Sequence, residues 1–310
     1  MSLHPHDQAA LDHLNAANVP SFEQMGLEQA RQAIRDTKSL AGIPEEIAHI
    51  EEMNIPSVVE NLPLRIYTPK RHAPFPIVVF VHGGGWIGGD LDAVDVPLRS
   101  LANRSGCIII SIDYPLAPEY PFPTPVESVY LATQWIINHA ATLGGDPKQV
   151  AISGDSSGGN LAAAVILMAR DRKEFSLAAQ LLICPVIDCS FETISYQAFG
   201  QGYLLTQSAM QWFWQLYLGD VAAANNPYAS PLKASTLAGL PPAFIITAEY
   251  DPLRDEGEAY AAQLGRAEVT VFTKRFDGMM HGFYQMGAIM DAGQVWIDDA
   301  VKFLKKILIR

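Results

Sequence analysis

From about residue 57 onward the chain alternates two kinds of segment, and this rhythm constrains its fold more than any other feature. Apolar, strand-like runs occupy 58–67, 77–81, 107–112, 150–153, 178–184, 243–248 and 269–276. Helical patterns fall between most of them, at 94–102, 126–141, 160–170, 254–264 and 294–308. Strands alternating with helices of about 10 to 15 residues build βαβ units, and hence an α/β fold with a mostly parallel central sheet and helices on both faces. Right-handed crossovers bring every strand-to-helix turn to one edge of that sheet, so functional residues are expected on those turns.

Composition fits a compact enzyme-like chain. Of 310 residues, 49% are hydrophobic and 17% charged, which excludes a disordered or fibrous chain. Lys and Arg number 21 against 33 Asp and Glu, a net charge of -12 that argues against nucleic-acid partners and against anchoring on anionic membranes. The longest uninterrupted apolar run, 161–169, falls well short of the roughly 18 residues a membrane span needs. The first twenty residues lack the basic start and apolar stretch of a secretory signal, so a soluble, cytoplasmic protein is expected. Cys107, Cys184 and Cys189 lie in or beside apolar runs with no paired spacing and read as buried thiols. His4 and His6 have no further ligand nearby. No metal and no cofactor is expected.

Two stretches break the alternation. Residues 7–50 carry apolar positions at helical spacing, among them Ala30 and Ile34, interrupted by Pro20 and Pro44, which predicts two or three short helices ahead of the sheet. Between Pro185 and Pro242 lie more than fifty residues rich in aromatics, too many for a plain loop in a compact domain. With Thr206 as N-cap, 207–218 reads as a helix whose aromatics face nearly all sides and must be covered on more than one. Such a segment is either ordinary core or a lid over the sheet edge.

The run at 77–81 leads into "HGGGWIGGD", 82–90. Gly83, Gly85 and Gly88 spell a dinucleotide fingerprint, with Asp113 placed about where a ribose-binding acid would stand. A pyrophosphate here would face Asp90, Asp92 and Asp95 and would have to fit beside Trp86, so phosphate binding is excluded on charge and bulk. The glycines can instead bring backbone N–H groups close to a reacting carbonyl.

After the 150–153 strand comes "GDSSGGN", 154–160, and then an apolar helix. The pattern G-x-S-x-G centred on Ser156 occurs by chance in about one chain in ten of this length. Its setting makes it specific, because a strained strand-to-helix turn needs small flanking residues to lift the serine hydroxyl clear. Ser156 is then the nucleophile, and Ser157 offers its backbone N–H at a helix start that favours negative charge. A serine also needs a base and a group that orients the base. Of eight histidines, only His281 lies just past a predicted strand on the same edge. Asp251 ends the 243–248 strand and, followed by Pro252, also reads as a helix cap. Asp255 and Glu256, a turn further on, are expected to point away from the edge.

With these pieces in hand the sequence resembles the bacterial hormone-sensitive-lipase-like carboxylesterases (family IV) of the α/β-hydrolase superfamily. The matching segments are "HGGGW" at 82–86, "DYPLAPEYPFP" at 113–123, "GDSSGGN" at 154–160, "GYLLT" at 202–206, "SPL" at 230–232, "DPLRDEG" at 251–257 and "HGF" at 281–283. The resemblance implies an α/β-hydrolase core, 51–187 and 226–310, under a helical cap made from 1–50 and the insertion 188–225. It also implies Ser156, Asp251 and His281 as the triad. The oxyanion hole would be drawn from Gly83, Gly84, Gly85 and Ser157, the choice among the glycines staying open, with His82 and Glu119 as supporting residues. Pro115 and Tyr120 depart from the Arg and His common in the family, and Ser157 from Ala.

The expected activity is hydrolysis of short- to medium-chain carboxylic esters through an acyl-enzyme, with a small-molecule ester as the partner; a homodimer is left open. An amidase or a deacetylase of acylated metabolites would use the same machinery. A non-catalytic small-molecule receptor of this fold is the other alternative, and the presence of His281 speaks against it.

Overall fold

The computed structural model describes residues 2–16 and 19–309; residues 1, 17 and 18 of the predicted 1–50 stretch, and residue 310, lie outside it. The strands are β1 (His49–Ser57), β2 (Glu60–Thr68), β3 (Phe75–Val81), β4 (Ile108–Ile112), β5 (Gly145–Asp155), β6 (Ala179–Ile183), β7 (Ala243–Tyr250) and β8 (Val271–Met280). The helices are α1 (Pro5–Ala16), α2 (Phe22–Met25), α3 (Leu27–Asp36), α4 (Asp95–Ser105), α5 (Thr124–His139), α6 (Ser156–Arg172), α7 (Ile194–Phe199), α8 (Gln207–Leu218), α9 (Arg254–Arg266) and α10 (Ala292–Leu308).

The strands form one sheet in the order β1-β2-β4-β3-β5-β6-β7-β8. It is parallel from β4 through β8, while β2 runs antiparallel to both β1 and β4. Alternating residues of one strand serve two cores, as the pleat requires. In β3, Ile77, Val79 and Val81 face the layer of α5, α6 and α9, while Val78 and Phe80 face α4 and α10. The expected mostly parallel sheet with helices on both faces is therefore what forms. Among the described residues no helix is long and apolar enough to cross a membrane.

The sequence places the first strand at 58, and β1 is the strand it omits. Glu51 and Glu52 are exposed and Ile55 is the buried position, because this antiparallel edge strand has little to cover it. Its hydrophobic signal is correspondingly thin. Thr206 caps α8 as expected, its hydroxyl accepting the Ala209 N–H at 3.1 Å. Phe213, Trp214 and Tyr217 of that helix are buried, and Phe213 meets Phe22 of α2 with ring centroids 5.6 Å apart.

The connections out of β3 lead to β4 on one side, and those out of β5 lead toward β6 on the other. The strand order thus reverses between β3 and β5, and in an open α/β sheet the crevice beyond such a reversal is where ligands bind. The register Val81↔Gly154 sets the two strand ends side by side. His82-Gly83 accordingly lies beside Asp155-Ser156.

Candidate active site

Ser156 occupies the first position of α6 with φ +51°, a left-handed conformation that costs a non-glycine residue of order 1–3 kcal/mol and is kept where the surroundings enforce it. Gly158 explains part of that enforcement. A Cβ there would come within 2.1 Å of the Val81 carbonyl, so only glycine lets α6 start this close to the end of β3. The turn lifts the Ser156 side chain out of the sheet toward His281.

His281 follows β8 directly. Its Nε2 lies 3.1 Å from Ser156 Oγ and its Nδ1 2.7 Å from Asp251 Oδ2. An ionised carboxylate can only accept, so Nδ1–H donates to Asp251, and the Nε2 lone pair is left facing the serine hydroxyl. Asp251 is not the helix cap the sequence suggested, since Leu253 holds that position before α9; its Oδ1 instead accepts the Leu253 N–H at 2.9 Å in the turn ahead of the helix. All three groups are buried, so the imidazole is held in one tautomer away from bulk water.

The loop at 82–90 faces this row. The Gly83 N–H differs from the other two, donating to Asp155 Oδ1 at 2.9 Å. The N–H groups of Gly84 and Gly85 have no acceptor among the described residues. Gly85, at φ +61°, lies under Phe213, whose ring a Cβ would meet at 2.8 Å. His82 is fully buried, stacked on Tyr114 with centroids 4.4 Å apart, and its Nε2 lies 3.7 Å from Asp113. Burial works to lower the His82 pKa, but Asp113 and the Gly83 carbonyl outweigh it and raise it. Glu119 reaches the loop through Arg31 of α3. The guanidinium donates to Glu119 Oε1 at 2.9 Å, to the Ala117 carbonyl at 3.0 Å and to the Ile87 carbonyl at 2.7 Å.

Several residues beside this row were not apparent from the sequence. Asp155 is fully buried one residue before Ser156, and its carboxyl is pushed up to about 6 by burial, with His82 and the Gly83 N–H pulling the other way. Tyr284 puts its hydroxyl 3.4 Å from His281 Nε2, and Gln285 Nε2 donates to Asp155 Oδ2 at 3.4 Å. Glu256 corrects the expectation that it points away. Buried in α9, it accepts the N–H of Ile187 at 2.7 Å and of Asp188 at 3.3 Å, tying the segment that leaves β6 to the helix after Asp251. Asp255 accepts the Ser195 N–H at 2.8 Å and anchors the same segment. Within G-D-S-S-G the one available signal for Asp155 was a carboxylate among otherwise small, uncharged residues.

Cys184, Asp251 and His281 have potential ligand atoms within 4.8 Å of one another. The imidazole and carboxylate are already spent on each other, and burial holds the thiol neutral, so a cation would have to break that pair. Above Ser156 lies a cavity of about 90 Å³ lined by Phe22, Ile34, Leu205, Phe213 and His281. A single water needs about 10–15 Å³ of such space, so the cavity has room for a small group. A larger depression of about 590 Å³ lies at α9, β7 and β8. It is lined by the Glu258–Arg275 ion pair and contains none of the row described above, so chemistry and not size decides which cavity matters.

A serine on a strained strand-to-helix turn, an imidazole and a carboxylate after later strands, and a glycine loop at the sheet's reversal are the marks of an α/β-hydrolase. A family described as the alpha/beta hydrolase fold matches residues 78–285, and the chain belongs to it, in the hormone-sensitive-lipase-like carboxylesterase branch. It is 36% identical over 284 residues to an arylesterase of Saccharolobus solfataricus, covering 91% of this chain and 92% of that protein. An ethyl acetate hydrolase of Pseudomonas putida is 34% identical over 316 residues, covering 97% and 99%. The crystal structure of a thermostable esterase from Pseudomonas putida ECU1011 superposes with a TM-score of 0.95 at 37% identity, covering 100% of this chain and 98% of that one.

Proposed function

We propose that Ser156, His281 and Asp251 are the nucleophile, general base and orienting acid of this serine carboxylesterase, and that it cleaves small esters of short acyl chains. The reading rests on one observation, the continuous relay of 3.1 Å from Ser156 Oγ to His281 Nε2 and 2.7 Å from Nδ1 to Asp251. Ser156 attacks the acyl carbon as its proton passes to His281. The charge that develops on the carbonyl oxygen is held by the N–H groups of Gly84, Gly85 and Ser157, with Gly83 left out because its N–H serves Asp155. His281 then protonates the leaving alcohol, and water repeats the cycle on the acyl-enzyme.

The cavity of about 90 Å³ supports a short acyl chain, as does the relative named for ethyl acetate. Residues 1–50 and 188–225 serve as a cap over a core of 51–187 and 226–310, and the Phe22–Phe213 contact above Gly85 supports that division. Three free cysteines suit a reducing compartment such as the cytoplasm.

Initial rates with p-nitrophenyl acetate on two single variants provide the test. Ser156→Ala should lose on the order of 10⁶-fold in kcat, whereas Ser157→Ala keeps its main-chain donor and most of its turnover. Equal losses would overturn the assignment. Across p-nitrophenyl esters from acetate to palmitate the rate should be highest at the short end, and a maximum at palmitate would remove the short-chain claim.

A further inference from the structure

His281 receives a proton in mid-reaction, and the groups that face the ring decide how readily. Asp251 after β7 stands on the Nδ1 side, and the thiol of Cys184 after β6, kept neutral by burial, lies within 4.8 Å of the pair. On the Nε2 side stand Ser156 and, at 3.4 Å, the Tyr284 hydroxyl. Asp7 of α1 approaches the segment from outside, its Oδ2 accepting the Met280 N–H at 2.8 Å.

Tyr284 is built into this place. The turn that follows Gly282 carries it back over His281, the two rings meeting edge to face at 88°. Trp296 of α10 donates its indole N–H to the Tyr284 carbonyl at 3.0 Å and fixes the backbone. The hydroxyl is buried and also interacts with the Asp155 carboxylate. One hydroxyl has one proton to give. When Nε2 is protonated, the phenol can turn its own proton toward Asp155 and leave a lone pair facing Nε2–H at 3.4 Å.

We propose that Tyr284 is a further catalytic residue, which accepts from the Nε2–H of protonated His281, and that Asp155 acts through it as a positioning residue. The proton leaving Ser156 Oγ rests on Nε2 until the alkoxide of the leaving alcohol takes it. During that interval the imidazolium has a carboxylate at each end, Asp251 directly on Nδ1 and Asp155 through the phenol on Nε2. A distance of 3.4 Å is long for such a bond, but catalytic hydrogen bonds tighten once charge has moved. Packing alone does not call for the hydroxyl, since phenylalanine would fill the same volume.

The inference rests on the triad reading, and the test separates the two. Tyr284→Phe removes the Nε2-side acceptor and also weakens the hold on ionised Asp155, and both changes disfavour protonated His281. The acid limb of kcat/KM for p-nitrophenyl acetate should therefore move to lower pH by about half a unit or more. Asp155→Asn should move it in the same direction, by less when Tyr284→Phe is already present. Should either variant turn over too slowly for a profile, titration of the His281 ring by NMR reads the same shift. A limb unmoved or moved upward in Tyr284→Phe overturns the inference. Turnover surviving in His281→Ala would instead remove the triad reading beneath it.

Discussion

Burial holds the Asp155 carboxyl at about 6, above the 3.8 of an ordinary aspartate, so the folded chain binds this proton more tightly than the unfolded one. For an acid shifted in this direction, stability falls as pH rises between those two values, and the whole cost stands above about pH 6. A shift of this size corresponds to roughly 3 kcal/mol as an upper figure. Ionised Asp155 is nonetheless what Gly83 and Tyr284 are arranged around, so here function is maintained against stability. Asp155→Asn keeps an oxygen for the Gly83 N–H and removes the buried charge. Its stability relative to the parent should improve between pH 5 and pH 8 by about 1 kcal/mol, the part of that cost which falls between the two values, read by urea unfolding at each, while its kcat/KM falls. An unchanged stability difference at the two pH values would show that the carboxyl is not strained by burial. Asp155 was not legible in the sequence for a physical reason. The letters around it describe a turn that needs small residues, and nothing in them says that the acid lies beneath Gly83, a partner 72 positions away. That Ser156, Asp251 and His281 would meet could be expected, because each stands at the end of a run recognisable as a strand, and strand ends share one edge.

At the scale of elements, the two-sided strands β3 to β7 were legible because burial on both faces leaves a nearly continuous apolar run, while the exposed edge strand β1 left almost none. The aromatics of α8 pointed to cover on several sides. They could not say by what, and the partners prove to be distant: Trp86 stacks on Tyr217 with centroids 4.3 Å apart, and Phe22 meets Phe213. Trp86 has φ +60° and belongs to the glycine loop, so this helix holds the donors of the loop in place from above. Phe213 also closes the small cavity over Ser156. Phe213→Leu should open that wall at modest cost to the core, because volume is only partly lost. Each extra CH₂ that the cavity can then bury is worth about 0.8 kcal/mol, or roughly fourfold in kcat/KM. The ratio of p-nitrophenyl hexanoate to acetate should accordingly rise severalfold. An unaltered ratio would mean that the acyl chain does not run beneath α8.

At the scale of the whole molecule, the site is drawn together from segments that share no local sequence. The loop bearing His281 leaves β8, an edge strand whose one sheet neighbour is β7. For the role proposed for it, an imidazole on the end of an edge strand needs support that the sheet cannot supply, since a misplacement of about 1 Å can cost 10²-fold in rate. Residues near the two ends of the described chain provide it. The His4 N–H donates to the Gly278 carbonyl at 2.7 Å, Asp7 accepts the Met280 N–H across 273 positions, and Trp296 holds Tyr284. Among the described residues neither hydrophobic core includes a residue of α1, and what Asp7 holds is the N–H beside His281. Asp7 should therefore matter for turnover more than for folding. Asp7→Ala strips the acceptor from a buried N–H one residue before His281, and kcat should drop about tenfold or more with little change in KM or far-UV circular dichroism. Asp7→Asn keeps an acceptor oxygen and should restore most of that loss. Parental kcat in Asp7→Ala would mean that β8 alone positions the imidazole, and the amino-terminal helix would then be no more than cover.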